Sequence, residues 1–360
     1  MVAYIRELAV VKNKWVTEQC FKDGVALCQS IPGATAMQTA AYVGLRARGI
    51  RGALAAYIGF GFPAFILMIF LSALYSRGAN LETVASAFRG LQAIVIALMA
   101  NATINFGRTS HKDWRDIFLA AASAAALGQG VGPFAVICAA VVAGGLLYRC
   151  CKTEDMTSAE SRDAGGGGIL PAGVLVLLIA AGLGTLFVLR RPLFDHAALM
   201  LKVDVLAFGG GFASVPLMLH EVVESKKWLD AKTFMDAIAL GQVTPGPIVI
   251  TATFVGYQLA GLAGAVIGTI AIFSPSVIIV IATVPYLDRL KHSRLFRSAL
   301  RGPLVAFVGL VLVATLRLGS ALPWSVAAGI VAMVAFIALR LRVDILWVVL
   351  AGALLSIAIL

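Results

Sequence analysis

The chain has 360 residues, of which 60% are apolar and 13% are charged, and its formal net charge is +11. A soluble domain carries about 25% charged residues, so this composition excludes an ordinary soluble globular protein and favours a lipid environment. The Lys and Arg residues lie mostly in short breaks between apolar runs, which is typical of charges that set membrane topology. The interleaving of basic and aromatic residues that indicates nucleic-acid binding does not occur, so we expect no nucleic-acid partner.

Apolar runs recur along the whole chain, and many approach the roughly 20 residues that a helix needs to cross a bilayer. They lie at 51–75, 91–106, 131–148, 168–189, 262–287, 299–316, 321–339 and 343–360. We therefore predict an all-α polytopic membrane protein, embedded in a lipid bilayer, with roughly 10 to 12 spanning segments.

The two halves of the chain share one pattern of motifs. The stretch 15–33 aligns without a gap with 228–246, and after a one-residue slip the likeness continues to Pro63 and Pro275. Such self-similarity indicates a duplicated structural unit. The matched pairs are Trp15 and Trp228, Asp23 and Asp236, Gln29 and Gln242, Pro32-Gly33 and Pro245-Gly246, Gly49 and Gly261, and Gly52 and Gly264.

We predict four segments from this duplication. They are an N-terminal repeat at 1–148, a polar and Gly-rich linker at 149–168, a connecting transmembrane helix at 169–189 and a C-terminal repeat at 190–360.

The basic residues change sides between the repeats. The loop 46–51 has three Arg residues where its partner 258–263 has no basic residue, whereas the loop 77–89 has two Arg residues and its partner 288–301 has five basic residues, four Arg and one Lys. By the positive-inside rule the two repeats then face opposite ways, although Arg190 and Arg191 fall on the wrong side of this arrangement. Inverted repeats are common in secondary transporters.

A Gln-x-x-Pro-Gly element occurs inside an apolar run in both repeats, at 29–33 and 242–246. Pro removes a backbone donor and Gly tolerates unusual dihedral angles, so we expect a broken helix at each element. The half-helix after each break would point its N–H groups at an anion. The alternative is a Pro-kinked helix that only packs against its neighbours. The candidate substrate-binding residues here are Gln29, Pro32, Gly33, Gln242, Thr244, Pro245, Gly246 and Pro247, and Thr251 and Thr253 would add hydroxyl groups.

Three consecutive glycines, Gly209, Gly210 and Gly211, lie inside the apolar run 198–219. They predict either close helix packing or a further break that contacts substrate. Asp204 lies shortly before them, and an ionisable residue at membrane depth is a functional candidate that would couple protons. The alternative places Asp204 near the membrane interface, because Lys202 is close by.

Further carboxylates lie near the ends of the apolar segments. Glu221 and Glu224, and Glu7 in the first repeat, belong to amphipathic stretches that favour a solvated interfacial face, with a gate at a cavity mouth as the alternative. Asp23 and Asp236 precede the matched Gln residues by six positions and would cap the broken helix or titrate.

The sequence has no motif of a hydrolase or a zinc enzyme, and its four His residues are scattered. We therefore expect no enzyme activity, no cofactor and no metal site. The vicinal pair Cys150-Cys151 is more typical of inert thiols than of a soft-metal ligand.

A set of motifs in both halves resembles the chromate ion transporter family. The resemblance implies a plasma-membrane protein of two homologous, oppositely oriented domains that exports chromate, with sulfate as its natural lookalike, and confers chromate resistance. The motifs are Phe208–Phe212, Pro216, His220–Glu224, Trp228, Phe234, 239–247 and Gly256-Tyr257, and in the first half Tyr4–Leu8, Lys14-Trp15 and Gln29–Gly33.

One departure concerns the N-terminus. The partner of segment 198–214 is missing from the first repeat, because Met1 matches Val215. We expect either a start further upstream or a form that is one segment short.

These observations together predict a secondary transporter whose oxyanion site lies near the membrane midplane, between the two Gln-x-x-Pro-Gly breaks. A passive small-anion channel and a non-transporting membrane subunit or enzyme are the alternatives. Proton antiport, anion exchange and potential-driven efflux are all open as energy sources, and so is assembly as a homodimer.

Overall fold

The structure, a computed structural model, describes residues 1–78, 82–110, 113–148, 168–286 and 293–359. Every regular element in these ranges is helical, which confirms the predicted all-α class. The predicted linker 149–168, apart from Gly168, lies outside the described residues, as do Cys150, Cys151, His111 and His292.

Seven helices lie in the described residues up to Leu189. They are α1 (Val2–Arg6), which continues into a π-helical turn (Glu7–Lys12), α2 (Glu18–Ser30), α3 (Thr35–Gly78), α4 (Glu82–Ser110), α5 (Trp114–Gly128), α6 (Pro133–Leu147) and α7 (Ile169–Leu189).

The C-terminal half continues with α8 (Arg191–Leu206) and a 3-10 turn (Gly211–Ala213). It then forms α9 (Ser214–Met218), a second π-helical turn (Leu219–Ser225), α10 (Ala231–Val243), a 3-10 turn (Ile248–Ile250), α11 (Thr251–Thr283), a 3-10 turn (Val284–Tyr286), α12 (Arg294–Ala321), α13 (Val326–Arg340) and α14 (Ile345–Ile359).

Five described helical stretches are long and apolar enough to cross a bilayer, and three shorter helices are also apolar. The chain is therefore a multi-pass membrane protein, while the predicted number of spanning segments stays a prediction. The five stretches are Thr35–Arg77, Ser86–Ser110, Ile169–Leu189, Ile248–Tyr286 and Ser298–Ala321.

The two repeats adopt the same local backbone geometry where their sequences match. Lys14 and Lys227 both have positive φ, at 50° and 53°. Each is followed by a Trp whose N–H closes the π-helical turn, with a distance of 2.8 Å from Trp15 N to Ala9 O and of 2.8 Å from Trp228 N to Val222 O. A 13-residue helix follows in both repeats, α2 in the first and α10 in the second.

Both long helices that follow reverse direction at a glycine. In α3 the break is at Arg48 and Gly49, and Gly49 has φ 65° and ψ −154°. In α11 it is at Ala260 and Gly261, and Gly261 has φ 58° and ψ −144°. Residues eight apart in a continuous helix are separated by about 12 Å, yet a Cβ on Gly52 would meet the Gly44 carbonyl oxygen. The chain therefore folds back on itself, and the contact between Gly264 and Gly256 in α11 is equivalent.

The described chain divides into two compact units, and each unit takes segments from both predicted repeats. Unit 1 comprises Met1–Pro63, Cys138–Gly211 and Ile270–Leu304, and unit 2 comprises Ala64–Ile137, Phe212–Thr269 and Val305–Leu360. These units are defined by contacts in space, whereas the predicted repeats are defined by sequence similarity. The repeat boundaries and the inverted orientation of the repeats therefore stay predictions.

Small residues allow close helix packing inside each unit. In unit 1, α7 packs against α8, and Gly144 of α6 lies against Gly302 of α12. In unit 2, α4 packs against α10, α13 and α14, and Gly309 lies against the Ala120 backbone. Close approach at small residues is a usual way of associating helices in a membrane, where burial of apolar surface gives little driving force.

Candidate functional site

The Gln-x-x-Pro-Gly element of unit 1 forms the tip of a helical hairpin. Helix α2 ends at Ser30 and α3 begins at Thr35, and the two helices run back along each other. The Tyr42 hydroxyl donates to the Cys20 carbonyl oxygen at 3.1 Å. Since these residues flank the break at nearly equal distances along the chain, residues 31–34 are the tip. Each arm has about 13 residues and is about 20 Å long, shorter than the roughly 30 Å hydrocarbon core.

The equivalent element of unit 2 forms a second hairpin tip. Helix α10 ends at Val243, and the chain passes through Pro245 and Gly246 into the turn that opens α11. A Cβ on Gly241 would lie 3.2 Å from the Thr251 hydroxyl oxygen, although these residues would be about 15 Å apart in a straight helix. Both predicted breaks therefore occur, and at both the chain turns back on itself.

The two tips have matching contacts, each with a helix from the other repeat. A Cβ on Gly33 would meet the Ser276 hydroxyl, directly after Pro275. A Cβ on Gly246 would lie 2.5 Å from the Ala64 methyl group, directly after Pro63. Since Pro63 and Pro275 are matched positions, each tip packs against the same point of the opposite repeat, and the contacting residue is Ser in unit 1 and Ala in unit 2.

Asp204 lies beside the tip in unit 1 and is fully buried. Its Oδ2 atom accepts the Ser276 hydroxyl at 2.6 Å and the Ser276 N–H at 2.9 Å. Among the described residues, nothing hydrogen-bonds to its Oδ1 atom, which is enclosed. The residue predicted to couple protons is therefore a buried carboxylate with one oxygen hydrogen-bonded and the other without a partner.

Gln38 joins the same cluster from the first turn of α3. Its Nε2 atom donates to the Pro32 carbonyl oxygen at 2.5 Å and would lie 2.7 Å from a Cβ on Gly33. Its Oε1 atom is enclosed and without a partner. Because Pro32 offers an acceptor, the amide nitrogen must face it, and this fixes the orientation of the amide group.

The Gly-rich segment interrupts the helical backbone after α8. Gly209 and Gly210 have φ of 95° and 98°, which L side chains rarely adopt. The Ala207 carbonyl oxygen accepts the N–H of Gly33 at 2.9 Å, and a Cβ on Gly210 would lie 3.5 Å from the Thr35 hydroxyl oxygen. Gly211 opens the short turn that leads into α9. The segment therefore contacts the unit 1 tip directly.

The polar groups of the unit 2 tip differ from those of unit 1. Gln242 places its Nε2 atom in an enclosed position without a partner, whereas its matched residue Gln29 is exposed. The Thr244 hydroxyl donates to the Gly241 carbonyl oxygen at 2.8 Å, and Pro247 immediately precedes the turn that opens α11. The unsatisfied group at this tip is thus a donor, while those at the unit 1 tip are acceptors.

Two further threonines considered from the sequence satisfy their hydroxyl groups within the protein. Thr251 donates to the Ile248 carbonyl oxygen at 2.7 Å, and Thr253 shares a hydrogen bond of 2.7 Å with Thr269. They stabilise the start of α11 and its fold-back.

Asp236 accepts two hydrogen bonds inside unit 2 and caps no helix. Gln92 Nε2 donates to it at 2.7 Å and the Tyr75 hydroxyl at 2.9 Å. Its matched residue Asp23 accepts from Gln19 at 3.2 Å near the surface. The caps of α2 and α10 are the side chains of Thr17 and Asp230 instead.

Glu224 forms a part-buried ion pair rather than a freely solvated face. Arg317 lies 2.6 Å from its carboxylate and also donates to the Leu127 carbonyl oxygen at 2.6 Å, and His220 Nδ1 lies 2.9 Å away. Glu221 is half-buried in the same turn, and Glu7 is exposed. Glu224 therefore links the π-helical turn Leu219–Ser225 to α12.

Four polar residues of these sites were not predicted from the sequence: Gln38, Ser276, Tyr75 and Gln92. Each is an ordinary polar residue of an apolar helix, and its partner is distant along the chain, so no local pattern identifies it. The match of Pro63 with Pro275 is a signal that could have identified Ser276. It aligns Ala64 with Ser276 and so shows that the second repeat has a polar residue where the first has Ala. Among the described residues, no group of three or more His, Cys, Asp or Glu side chains is placed to hold a metal.

Comparison with known proteins identifies a family over most of the chain. Residues 1–145 and 194–357 match the family described as Chromate transporter. The chain is 43% identical over 364 residues to a Methanocaldococcus jannaschii protein named as an uncharacterized transporter, covering 100% of this chain and 89% of that protein.

Two relatives carry a more specific name. A chromate transport protein of Cupriavidus metallidurans is 28% identical over 315 residues, covering 86% of this chain and 75% of the relative. One of Pseudomonas aeruginosa is 28% identical over 325 residues, covering 87% and 75%. No solved structure matches the chain.

Proposed function

The chain belongs to the chromate transporter family, and we propose that it is a secondary transporter that exports chromate across the plasma membrane and so confers chromate resistance. Sulfate has the same tetrahedral shape and double negative charge, so we expect the same site to accept it. The proposal treats protons as the coupling ion.

The observation that carries the proposal is the enclosed Nε2 atom of Gln242, which has no hydrogen-bond partner. A buried donor without an acceptor costs free energy, about 1–3 kcal/mol, unless a ligand satisfies it. An oxyanion is an acceptor on every face, so it would satisfy Gln242 in whatever rotational state it binds.

The backbone around Gln242 supports the same ligand. The first N–H groups of a helix have no acceptor within the helix and carry a partial positive charge, and anions bind there without any Lys or Arg. At the unit 2 tip the candidate N–H groups are those of Ile248 and Val249, since the Ile250 N–H already donates to the Pro247 carbonyl oxygen at 3.0 Å. We propose that they share the oxyanion with Gln242, and that Thr244, Pro245 and Gly246 shape the turn that presents them.

The unit 1 tip contributes in a different way to the proposed transport. Gln29 is exposed, and the enclosed groups without partners beside Pro32 and Gly33 are acceptors, which repel an anion. We therefore propose that the oxyanion binds at the unit 2 tip and that the carboxylate of unit 1, Asp204, serves energy coupling.

The test is chromate uptake into inverted membrane vesicles from cells that express the chain. Export in the cell corresponds to uptake in these vesicles, and we expect it to saturate and to fall when sulfate is added in excess. Uptake that rises linearly with chromate and needs no gradient other than its own would support a passive channel. No uptake, with the protein inserted in the membrane, would contradict transport by this chain alone.

The double variant Pro245→Ala with Gly246→Ala tests whether the unit 2 tip is needed for transport when membrane insertion is intact. It should abolish saturable uptake while the protein still inserts, because the turn that presents the N–H groups is lost. Normal uptake by this variant would refute the proposed site. The matched variant at Pro32 and Gly33 should retain sulfate-sensitive binding of chromate and lose coupled transport.

A further inference from the structure

The cluster at the unit 1 tip contains two enclosed oxygen atoms that lack a donor, Oδ1 of Asp204 and Oε1 of Gln38. Both residues lie against Gly33 and Ser276: Asp204 through its hydrogen bonds to Ser276, and Gln38 through the position of its amide beside Gly33. Two enclosed acceptors beside the same pair of residues are unfavourable unless a donor or a cation satisfies them.

A single proton can provide a hydrogen-bonding partner for both of these oxygen atoms. When the proton adds to Oδ1, an O–H bond forms there, the carboxyl group becomes neutral, and its O–H donates to Oε1 of Gln38. A bound metal ion would need several more oxygen ligands than these two. Among the described residues, only Ser276 hydrogen-bonds to Asp204, and both of its bonds go to the other carboxylate oxygen.

We propose that Asp204 and Gln38 form the binding site of the coupling proton, and that Gln38 transmits its presence to the hairpin tip through Pro32. This rests on the proposed transport function and adds to it the residue that senses the proton. With the proton bound, Gln38 turns its oxygen to Asp204 and its nitrogen to Pro32, as observed at 2.5 Å.

Loss of the proton reverses the preference of the Gln38 amide. An ionised Asp204 attracts the amide nitrogen, and turning that nitrogen toward Asp204 points Oε1 at the Pro32 carbonyl oxygen. The hydrogen bond that holds the tip then breaks. The proton leaves to water and no other bond changes, so the site switches between two states that differ by one proton and one amide orientation.

Two other titratable residues lie near Asp204 in the fold or along α8. Tyr57 on α3 uses its O–H to donate to the Phe273 carbonyl oxygen at 2.8 Å. His196 lies about two turns earlier on α8, on the same helix as Asp204. The tip itself, residues 31–38, has no titratable side chain. Of the residues gathered around Gly33, namely Pro32, Gln38, Asp204 and Ser276, Asp204 is therefore the one that can exchange a proton.

The unit 2 tip provides an internal comparison. Ala64 occupies the position of Ser276, and it has no hydroxyl to hold a carboxylate. The enclosed group without a partner at that tip is the donor Nε2 of Gln242. The two hairpins have similar backbone geometry but differ in the ligand that would satisfy their unpaired polar groups. That ligand is a cation in unit 1 and an anion in unit 2.

The first experiment is infrared difference spectroscopy on the full-length protein in lipid vesicles during a pH change. We expect a C=O band of a protonated carboxyl group that is lost in Asp204→Asn. In Gln38→Leu the band should move to higher frequency, because the O–H loses its acceptor. A band that persists in Asp204→Asn, or that is unmoved in Gln38→Leu, would overturn the proposal.

The second experiment measures flux in the same vesicles, as chromate–sulfate exchange without a gradient and as chromate accumulation driven by a pH gradient. Asn has the shape of a protonated Asp and its amide can donate to Gln38, so in Asp204→Asn the ratio of driven to undriven flux should fall to about one. Asp195→Asn, the same change at a half-buried position of α8 where the carboxylate pairs with Arg191 at 3.8 Å, should keep the wild-type ratio.

The outcomes separate this inference from the proposed function. If the wild type exchanges chromate and sulfate but Asp204→Asn keeps its response to the pH gradient, the proton site is wrong and the transport function stands. If the wild type shows no exchange, while the infrared band responds to Asp204→Asn and Gln38→Leu as expected, the proton site stands and the transport function is wrong.

Discussion

Gly246 lies against Ala64 so closely that a Cβ at Gly246 would come within 2.5 Å of the Ala64 methyl group. The contact joins the Gln-x-x-Pro-Gly element of one repeat to the residue that follows the helical Pro of the other. The same relationship holds between Gly33 and Ser276 in unit 1. The tip of each hairpin is thus positioned by a helix from the opposite half of the sequence.

The first prediction concerns the two tip glycines. Gly246→Ala should reduce transport by displacing the tip, with an overpacking cost of about 1–3 kcal/mol. Gly33→Ala should be more damaging, because Gly33 also has φ 117° and faces the polar groups of Ser276 and Gln38. Thermal unfolding in a mild detergent, measured beside flux, checks the order. Equal effects would argue against the asymmetry of the two tips.

The second prediction concerns the enclosed amide of Gln242. Gln242→Leu removes one hydrogen bond to the proposed oxyanion and should weaken its binding by about 0.5–1.5 kcal/mol, roughly 2- to 13-fold in Kd. Binding of labelled sulfate to the purified protein measures this directly. Gln29→Leu, at the exposed matched position, should have the smaller effect. The reverse order would move the anion site away from the unit 2 tip.

The third prediction concerns the ion pair of Arg317 and Glu224. Arg317→Leu removes the guanidinium from a part-buried carboxylate and leaves the Leu127 carbonyl oxygen without this donor, so we expect a loss of about 1–2 kcal/mol in stability.

His220 provides a second variant at the same carboxylate. Its Nδ1 atom lies 2.9 Å from Glu224 Oε2, so Arg317→Leu combined with His220→Gln removes a further partner of Glu224. Unfolding midpoints in a mild detergent should fall in the order wild type, Arg317→Leu, double variant. A midpoint of Arg317→Leu equal to that of the wild type would contradict the contribution of the ion pair.

The fourth prediction separates backbone strain from crowding. Gly261 has φ 58° and ψ −144°, a region open essentially to Gly, yet no atom lies within 4 Å of where its Cβ would be. Gly261→Ala should therefore cost about 1–3 kcal/mol through strain alone. Gly329, in the interior of α13, also has open space, and Gly329→Ala should be neutral or stabilising by up to about 1 kcal/mol. If both variants behave alike, the turn is not strained.

Much of the fold could be predicted from sequence because its signals are local. Apolar runs indicated membrane helices, and Pro32-Gly33 and Pro245-Gly246 indicated breaks. The direction of the chain after a break could not be predicted, because Pro and Gly interrupt a helix without specifying whether the next helix continues or returns. The fold-back depends on distant contacts such as those of Gly33 with Ser276 and Ala207.

The candidate site could be predicted only in part for the same reason. Asp204 and Asp236 are conspicuous as charges in apolar segments. Their partners, Ser276 for the first and Tyr75 and Gln92 for the second, are common residues from remote segments. Gln29 and Gln242 are indistinguishable in sequence, and only their surroundings show that one is exposed and the other enclosed.

The short hairpin arms have a consequence for how the protein is made. An arm of 13 residues, with Glu18, Lys22 and Asp23 in it, is too short and too polar to enter the bilayer as an independent span. The unit 1 tip is completed only by Ser276, which leaves the ribosome about 240 residues after Gly33. At 5–20 residues per second this is a delay of roughly 10–50 s. Until residue 276 has been made, the first hairpin lacks its contact with Ser276, so its final packing is a late step of biogenesis. Mutations at Ser276 should therefore expose the N-terminal segment to quality-control proteases.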